Sequence, residues 1–183
     1  MAVKTFTTGE VLTASDTNTY LNNGGLVYIT STTIGTAVSS VTVSNVFSST
    51  YATYLIQVAG TKSTAQVGLT FQLSGITTGY DCQGFYMLRG SSTITGFNTT
   101  GGSSWDACAT DTGASFHEII VQNPNTAASK VFMARGSGEG GVDIGVQTWG
   151  QNSSTTTATG FVIAPATSTL TGGVIRVYGY RQA

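Results

Sequence analysis

The chain has 183 residues with a formal net charge of -1, and 8% of its residues are charged, against roughly a quarter in an ordinary soluble domain. Its seven basic residues are scattered singly, which excludes a phosphate-binding surface built on clustered Lys and Arg, and no apolar run approaches the roughly 20 residues of a membrane span. Twenty-four glycines against two prolines, with abundant Thr, Val and Tyr, describe one strand-rich domain with many turns and a short extra element.

Residues 1–24 stand apart. Met1-Ala2-Val3-Lys4 leads into polar residues, so no secretory signal is expected. Thr13-Ala14-Ser15-Asp16 reads as a capping box with Thr13 as N-cap. It predicts a helix from about Ala14 to Leu21, anchored by Tyr20 and Leu21. Asn22-Asn23-Gly24-Gly25 ends it, because Asn and Gly tolerate the left-handed conformation. A helix this short is marginal alone, so it must dock on its own domain or on a neighbouring subunit.

From Leu26 onward the apolar period becomes two. Val67, Leu69, Phe71 and Leu73 alternate with Gly68, Thr70, Gln72 and Ser74, the mark of a strand with one buried face. Strands are also predicted over Val41 to Phe47, Tyr51 to Gly60, Tyr80 to Leu88, Phe116 to Gln122, Lys130 to Arg135, Val142 to Trp149 and Thr159 to Ile163. Gly75, Gly90-Ser91-Ser92, Gly101-Gly102-Ser103, Asn123-Pro124-Asn125, Gly136 to Gly141 and Gly150-Gln151-Asn152 supply the turns between them. The stretch from Gly90 to Gly113 alternates weakly and reads as a long loop or an irregular strand pair. Leu170 to Tyr180 is rich in β-branched and aromatic residues. It predicts a strand in the body of a sheet, with Ile175 and Val177 on one face and Val174, Arg176, Tyr178 and Tyr180 on the other. Eight to ten short strands without long helices predict an all-β fold: an antiparallel β-sandwich or jelly roll over 25–183, preceded by a short N-terminal arm and helix over 1–24.

Motifs for chemistry are sparse. Gly136-Ser137-Gly138-Glu139-Gly140-Gly141 has the spacing of a dinucleotide fingerprint. A strand follows it, however, where that motif needs a helix N-terminus, so a hairpin loop is expected. His117 falls on the same strand face as Ile119 and Val121, with Phe116, Glu118 and Ile120 opposite, and reads as a satisfied or edge histidine. No G-x-S-x-G elbow accompanies it. The eight acidic residues are dispersed, which argues against a paired-carboxylate glycosidase and leaves Asp106 and Asp111 as a weak calcium pair at best. Cys82 and Cys108 match no metal or redox spacing and are expected as buried free thiols. No catalytic residue, metal or cofactor is therefore expected. Asn98-Thr99-Thr100 and Asn152-Ser153-Ser154 match the glycosylation pattern, which is discounted without a secretory signal. Trp105 and Trp149 sit beside Gly-rich turns with Asn, Asp and Ser nearby. They are candidate glycan-binding platforms, or else caps on the ends of the core.

The segment Phe6-Thr7-Thr8-Gly9-Glu10-Val11-Leu12-Thr13-Ala14-Ser15-Asp16-Thr17-Asn18-Thr19-Tyr20-Leu21 resembles the opening of many tailed-bacteriophage structural proteins, which commonly read F-x-x-G-E-V-L-T-A-x-D-x-N-x-Y-L. Ser49, Tyr51 and Tyr54, and the closing Gly172 to Tyr180, are similar to a β-sandwich domain of phage tail and fibre-like virion proteins. The resemblance covers about a third of the chain. It implies a non-enzymatic virion protein, made in the host cytoplasm, tail-associated or fibre-like, that acts in assembly and host-surface attachment. The alternative is a capsid decoration or head-fibre protein that stabilises the shell. The expected partners are copies of the chain itself, as a trimer, other virion proteins and a host surface glycan, with no nucleic acid and no membrane insertion. The expected assembly anchors are Phe6, Val11, Leu12, Tyr20 and Leu21, because a marginal helix gains most from apolar burial in a partner.

Overall fold

The computed structural model of the chain describes residues 7–11, 13–16, 25–141 and 143–181. Thirteen strands run through it: β1 (Leu26–Thr33), β2 (Val41–Val43), β3 (Thr53–Ser63), β4 (Val67–Leu73), β5 (Tyr80–Leu88), β6 (Thr95–Gly102), β7 (Trp105–Thr110), β8 (Ser115–Gln122), β9 (Lys130–Gly138), β10 (Ile144–Asn152), β11 (Phe161–Pro165), β12 (Leu170–Thr171) and β13 (Val174–Tyr180). Every pairing between them is antiparallel. Of the helix predicted over Ala14–Leu21, only the turn Ala14–Asp16 is described. The rest lies outside the described residues, so that helix is not shown.

The larger sheet has the order β1-β13-β3-β8-β9-β10-β5-β6, with β12 also on β3, and the smaller has β2-β11-β4-β7. Without β5, β6, β9 and β10, the two sheets are β1-β13-β3-β8 and β2-β11-β4-β7. That is the strand order of an eight-stranded jelly roll. Two hairpins are added to it. The pair β5–β6 is inserted between β4 and β7, and the pair β9–β10 between β8 and β11. They come from different connections, yet β5 pairs with β10 along nine residues. Together they extend the larger sheet past β8 by four strands.

Alternation puts one side of each strand into the space between the sheets. In β4 the residues Val67, Leu69, Phe71 and Leu73 are all buried, as their spacing predicts. Ile175 and Val177 of β13 are fully buried, and β13 lies between β1 and β3. The centre of the core is aromatic. Trp105 lies parallel to Phe132 at 4.7 Å, Phe71 stacks on Phe161 at 4.9 Å, and Tyr80 meets Trp105 edge-on at 4.9 Å. The two buried tyrosine hydroxyls find partners. Tyr80 Oη accepts from Leu73 N–H and donates to the Ile76 carbonyl, and burial pushes its pKa up to about 12. Tyr54 Oη does the same with the backbone of Ser48.

Two glycines are required by close approach. A Cβ on Gly179 would lie 2.5 Å from the Tyr51 ring, and one on Gly173 would lie 2.5 Å from Thr61 N. Gly173 also has φ +89°, so it marks the break between β12 and β13, which pair with β3 in one continuous register. The stretch expected as a long loop or an irregular strand pair, Gly90 to Gly113, contains two strands, β6 and β7, which pair with β5 and β4 rather than with each other. β6 is an edge strand of Thr, Gly and Asn around the single Phe97, with no buried residue, so no burial pattern marks it. β7 holds small residues, Asp106-Ala107-Cys108-Ala109, buried on both faces at most positions, which also removes alternation.

Candidate functional site

Seven of the nine large hydrophobic side chains exposed among the described residues are on the outer face of the larger sheet: Leu26, Tyr28, Met87, Phe116, Val131, Met133 and Trp149. Register explains their arrangement. Tyr28, Tyr178, Leu55, Ile120, Met133 and Trp149 stand directly opposite one another on β1, β13, β3, β8, β9 and β10. The same cross-strand row then continues into Gln83 of β5 and Asn98 of β6. It is apolar along six strands and becomes amide-bearing over the last two.

Trp149 sits at that transition. Its side chain is 39% exposed, and Phe85 braces the indole edge-on at 6.2 Å. On its own strand the outward neighbours are Gln147 and Gln151. A groove of about 410 Å³ opens beside it, walled by Asp81, Gln83, Asn98, Thr100 and Gln151 among others. Asp81 is held in place, because its Oδ1 accepts the Gly101 N–H at 2.8 Å. No Lys or Arg lines this groove. All of it is built on the four added strands. The next row is ionic: Arg135 grips Glu118 through Nε at 2.9 Å and a second nitrogen at 2.6 Å. The hydrogen bonds from Arg135 hold the Glu118 carboxyl below the ordinary carboxylate range.

Trp105, the other candidate, takes its alternative reading as a residue of the core and is corrected as a platform. It is fully buried in β7 against Phe132 and Tyr80, and its Nε1 donates to the Gln151 carbonyl at 3.1 Å. The ring holds the sheets together and has no free face for a ligand. The two tryptophans therefore do not form one site. Of the arm anchors, Val11 is 79% exposed, while Phe6, Leu12, Tyr20 and Leu21 lie outside the described residues.

His117 faces the interior on the side of Ile119 and Val121, and it is neither satisfied nor at an edge. It is fully buried and neither ring nitrogen has a hydrogen-bond partner. Burial pushes its pKa down to about 4. It forms no dyad with Ser115, whose hydroxyl donates to the Thr61 carbonyl. Cys82 and Cys108 are free and buried, and burial pushes both thiols up. Asp106 accepts from Thr99 Oγ1 at 2.7 Å, and the Asp111 carboxylate accepts the Thr112 N–H. Among the described residues no three of His, Cys, Asp and Glu gather around a metal position. Gly136 to Gly138 close β9 and the following residues turn into β10, so the glycine-rich run is the expected hairpin. Asn152 is fully buried, with its amide on the Thr78 carbonyl and its Oδ1 on Ser154 N–H. That leaves Asn98 as the exposed member of the two glycosylation patterns.

Sequence reasoning missed Lys130. It is fully buried, and its ammonium donates to the carbonyls of Thr126, Ala128 and Ser154 at 3.0, 2.8 and 2.7 Å. It thereby ties the β8–β9 connection to the segment after β10. Sequence reasoning also missed Asp81, Gln83, Asn98 and Gln151 as companions of Trp149, since only the register of two strand pairs, β10 with β5 and β5 with β6, brings them together. No helix among the described residues is long and apolar enough to cross a membrane. The chain matches no protein-family model, no curated protein and no solved structure.

Proposed function

We propose that this chain is a non-enzymatic structural protein of a bacteriophage virion, a tail-associated or fibre-like appendage acting in assembly and host-surface attachment. The observation that carries the assembly half is the arm. Every arm side chain that is described, over 7–11 and 13–15, is exposed, including the apolar Val11. An apolar residue held off its own sandwich in a segment matching phage openings is suited to burial in a neighbouring protein. The low charge of the chain fits a surface packed in an assembly better than one repelling its neighbours.

Copies of the chain meet as a trimer at the β1 edge in this reading. β1 ends the larger sheet, follows the arm directly and exposes Leu26 and Tyr28; an edge strand with apolar side chains invites a partner. The Trp149 strand, β10, lies five strand spacings from that edge, about 24 Å at about 4.8 Å per strand, and is left facing outward.

Deletion of residues 2–22 is the test. The truncated chain should fold, retain the near-ultraviolet signal of Trp105, and fail to enter particles. Normal incorporation, or loss of folding, would sink the reading. Immunogold on intact particles then places it, with gold on the tail as the expected result. A second reading, capsid decoration, is favoured by the compactness of the fold. The longest strand has 11 residues and no shaft element occurs among the described residues. Gold over the head would select that reading.

A further inference from the structure

We infer that the groove beside Trp149 is a binding site for a neutral oligosaccharide. This names the ligand for the attachment half of the reading above and rests on that half only for its biological setting. A sugar ring has an apolar face of C–H groups and a rim of hydroxyls, each of which both donates and accepts. The groove offers the complement of both. The Trp149 indole is held half-exposed, with Phe85 against its edge at 6.2 Å, so it presents a rigid flat surface at little conformational-entropy cost on binding. Around it stand Gln83, Asn98 and Gln151, whose amides donate and accept, and the hydroxyl of Thr100.

Asp81 selects among sugars. It is a carboxylate with one oxygen fixed by Gly101 N–H, and its remaining acceptor positions suit vicinal hydroxyls. With no Lys or Arg in the lining, a uronate or sialate would meet one uncompensated negative charge and no counter-charge. A neutral sugar meets none. The volume of about 410 Å³ lies in the usual range of small-ligand clefts, about 300–1,000 Å³. The strands that carry these groups are the inserted hairpins, paired with one another over nine residues, so the site sits on rigid backbone. A second copy of the chain is the competing occupant of this face. The polar walls argue against it, since the row turns to amides at Gln83 and Asn98 where a protein contact would continue the apolar stripe.

The test uses the full chain and its intrinsic fluorescence, titrated with maltohexaose, cellohexaose, chitotetraose and a mannan oligosaccharide, with sialyllactose and trigalacturonate as anionic controls. Trp149 is the exposed fluorophore and Trp105 the buried one, so a saturable shift in emission reports on the groove. At least one neutral sugar should bind with a Kd of about 1 mM or tighter, which corresponds to about 4 kcal/mol. Trp149→Ala, which removes the reporting fluorophore and is therefore titrated by isothermal calorimetry beside the wild type, should weaken it at least about tenfold, and Asn98→Ala should weaken it measurably, with the near-ultraviolet signal of Trp105 kept in both. Asp81→Asn should raise affinity for the anionic controls. No response to any neutral sugar overturns the site, as does tighter binding of an anionic one or an unchanged Trp149→Ala titration. A Trp149→Ala chain that binds no sugar and also drops in sedimenting mass overturns it too, in favour of a contact between copies. Particle incorporation after deletion of 2–22 is read separately, so failure of sugar binding and failure of the virion reading remain distinct.

Discussion

Trp105, on the smaller sheet, packs against the inner side of the larger one, Trp149 stands on the larger sheet's outer side, and the backbone of one strand joins them: Trp105 donates its indole N–H to Gln151, two residues along β10 from Trp149. One ring is enclosed by Phe132 and Tyr80, the other looks out from among amides. The difference teaches where this molecule keeps its stability and where it keeps its surface chemistry. The jelly-roll strands and the inward face of the extension share one aromatic core. The outward face of the extension makes no contribution to that core and is available for recognition. A fold commonly carries its site in this way, on elements added to a framework.

The sharpest way to break the comparison is at Trp105. Replacing it with Ala empties the centre of the core and should cost about 4 kcal/mol, seen as a large drop in the urea midpoint. A loss below about 1 kcal/mol would mean that the ring is not the keystone described. Lys130→Ala comes next. It leaves three inward carbonyls without their shared donor and should cost about 3 kcal/mol. Lys130→Met, which fills the space but donates nothing, should recover only part of that.

His117 gives a pH-dependent version of the same test. Folding holds the ring neutral down to about pH 4, whereas an unfolded chain takes up the proton near 6.5. Its contribution is therefore intact above pH 6.5 and erodes as pH falls from there towards 4. At about 1.4 kcal/mol per pH unit this amounts to about 3 kcal/mol. His117→Met should flatten that part of the stability profile relative to the wild type. If both proteins lose stability equally between pH 6.5 and 4, the buried histidine is not responsible. The smallest stability effect is expected at Trp149→Ala, under about 1 kcal/mol, set against the loss of sugar binding. A change comparable to that of Trp105→Ala would erase the distinction between the two sides.

Much of the fold was legible because one-sided burial writes itself into period two. Val67 to Leu73 and Ile175 to Val177 alternate in burial as their residues alternate in polarity. β6 and β7 were not legible for opposite reasons: neither face of β6 is covered, and nearly all of β7 is. The platform reading of Trp105 arose because Gly101-Gly102-Ser103-Ser104 before it looks like a loop, when it is the end of β6 and a two-residue turn into a buried strand. Trp149 stood out as an aromatic beside a turn, but its companions did not. Gln83, Asn98 and Gln151 belong to three strands, and nothing local in the sequence states which residues will be opposite. Lys130 gave no signal at all, since its three acceptors are backbone carbonyls that any residues could supply.

The place of β13 has a consequence for how the chain comes off the ribosome. β1 pairs with β13 alone, residues 26–33 against 174–180. At about 5–20 residues per second, β1 waits about 7 to 30 s for its partner to be made. Through that interval its edge is open and β3 lacks one neighbour. Contacts this distant in sequence also slow folding after release. Nascent chains on crowded polysomes would thus expose unpaired strands to one another, and a holdase that binds extended apolar segments should raise the yield of folded protein more than a slower rate of initiation would.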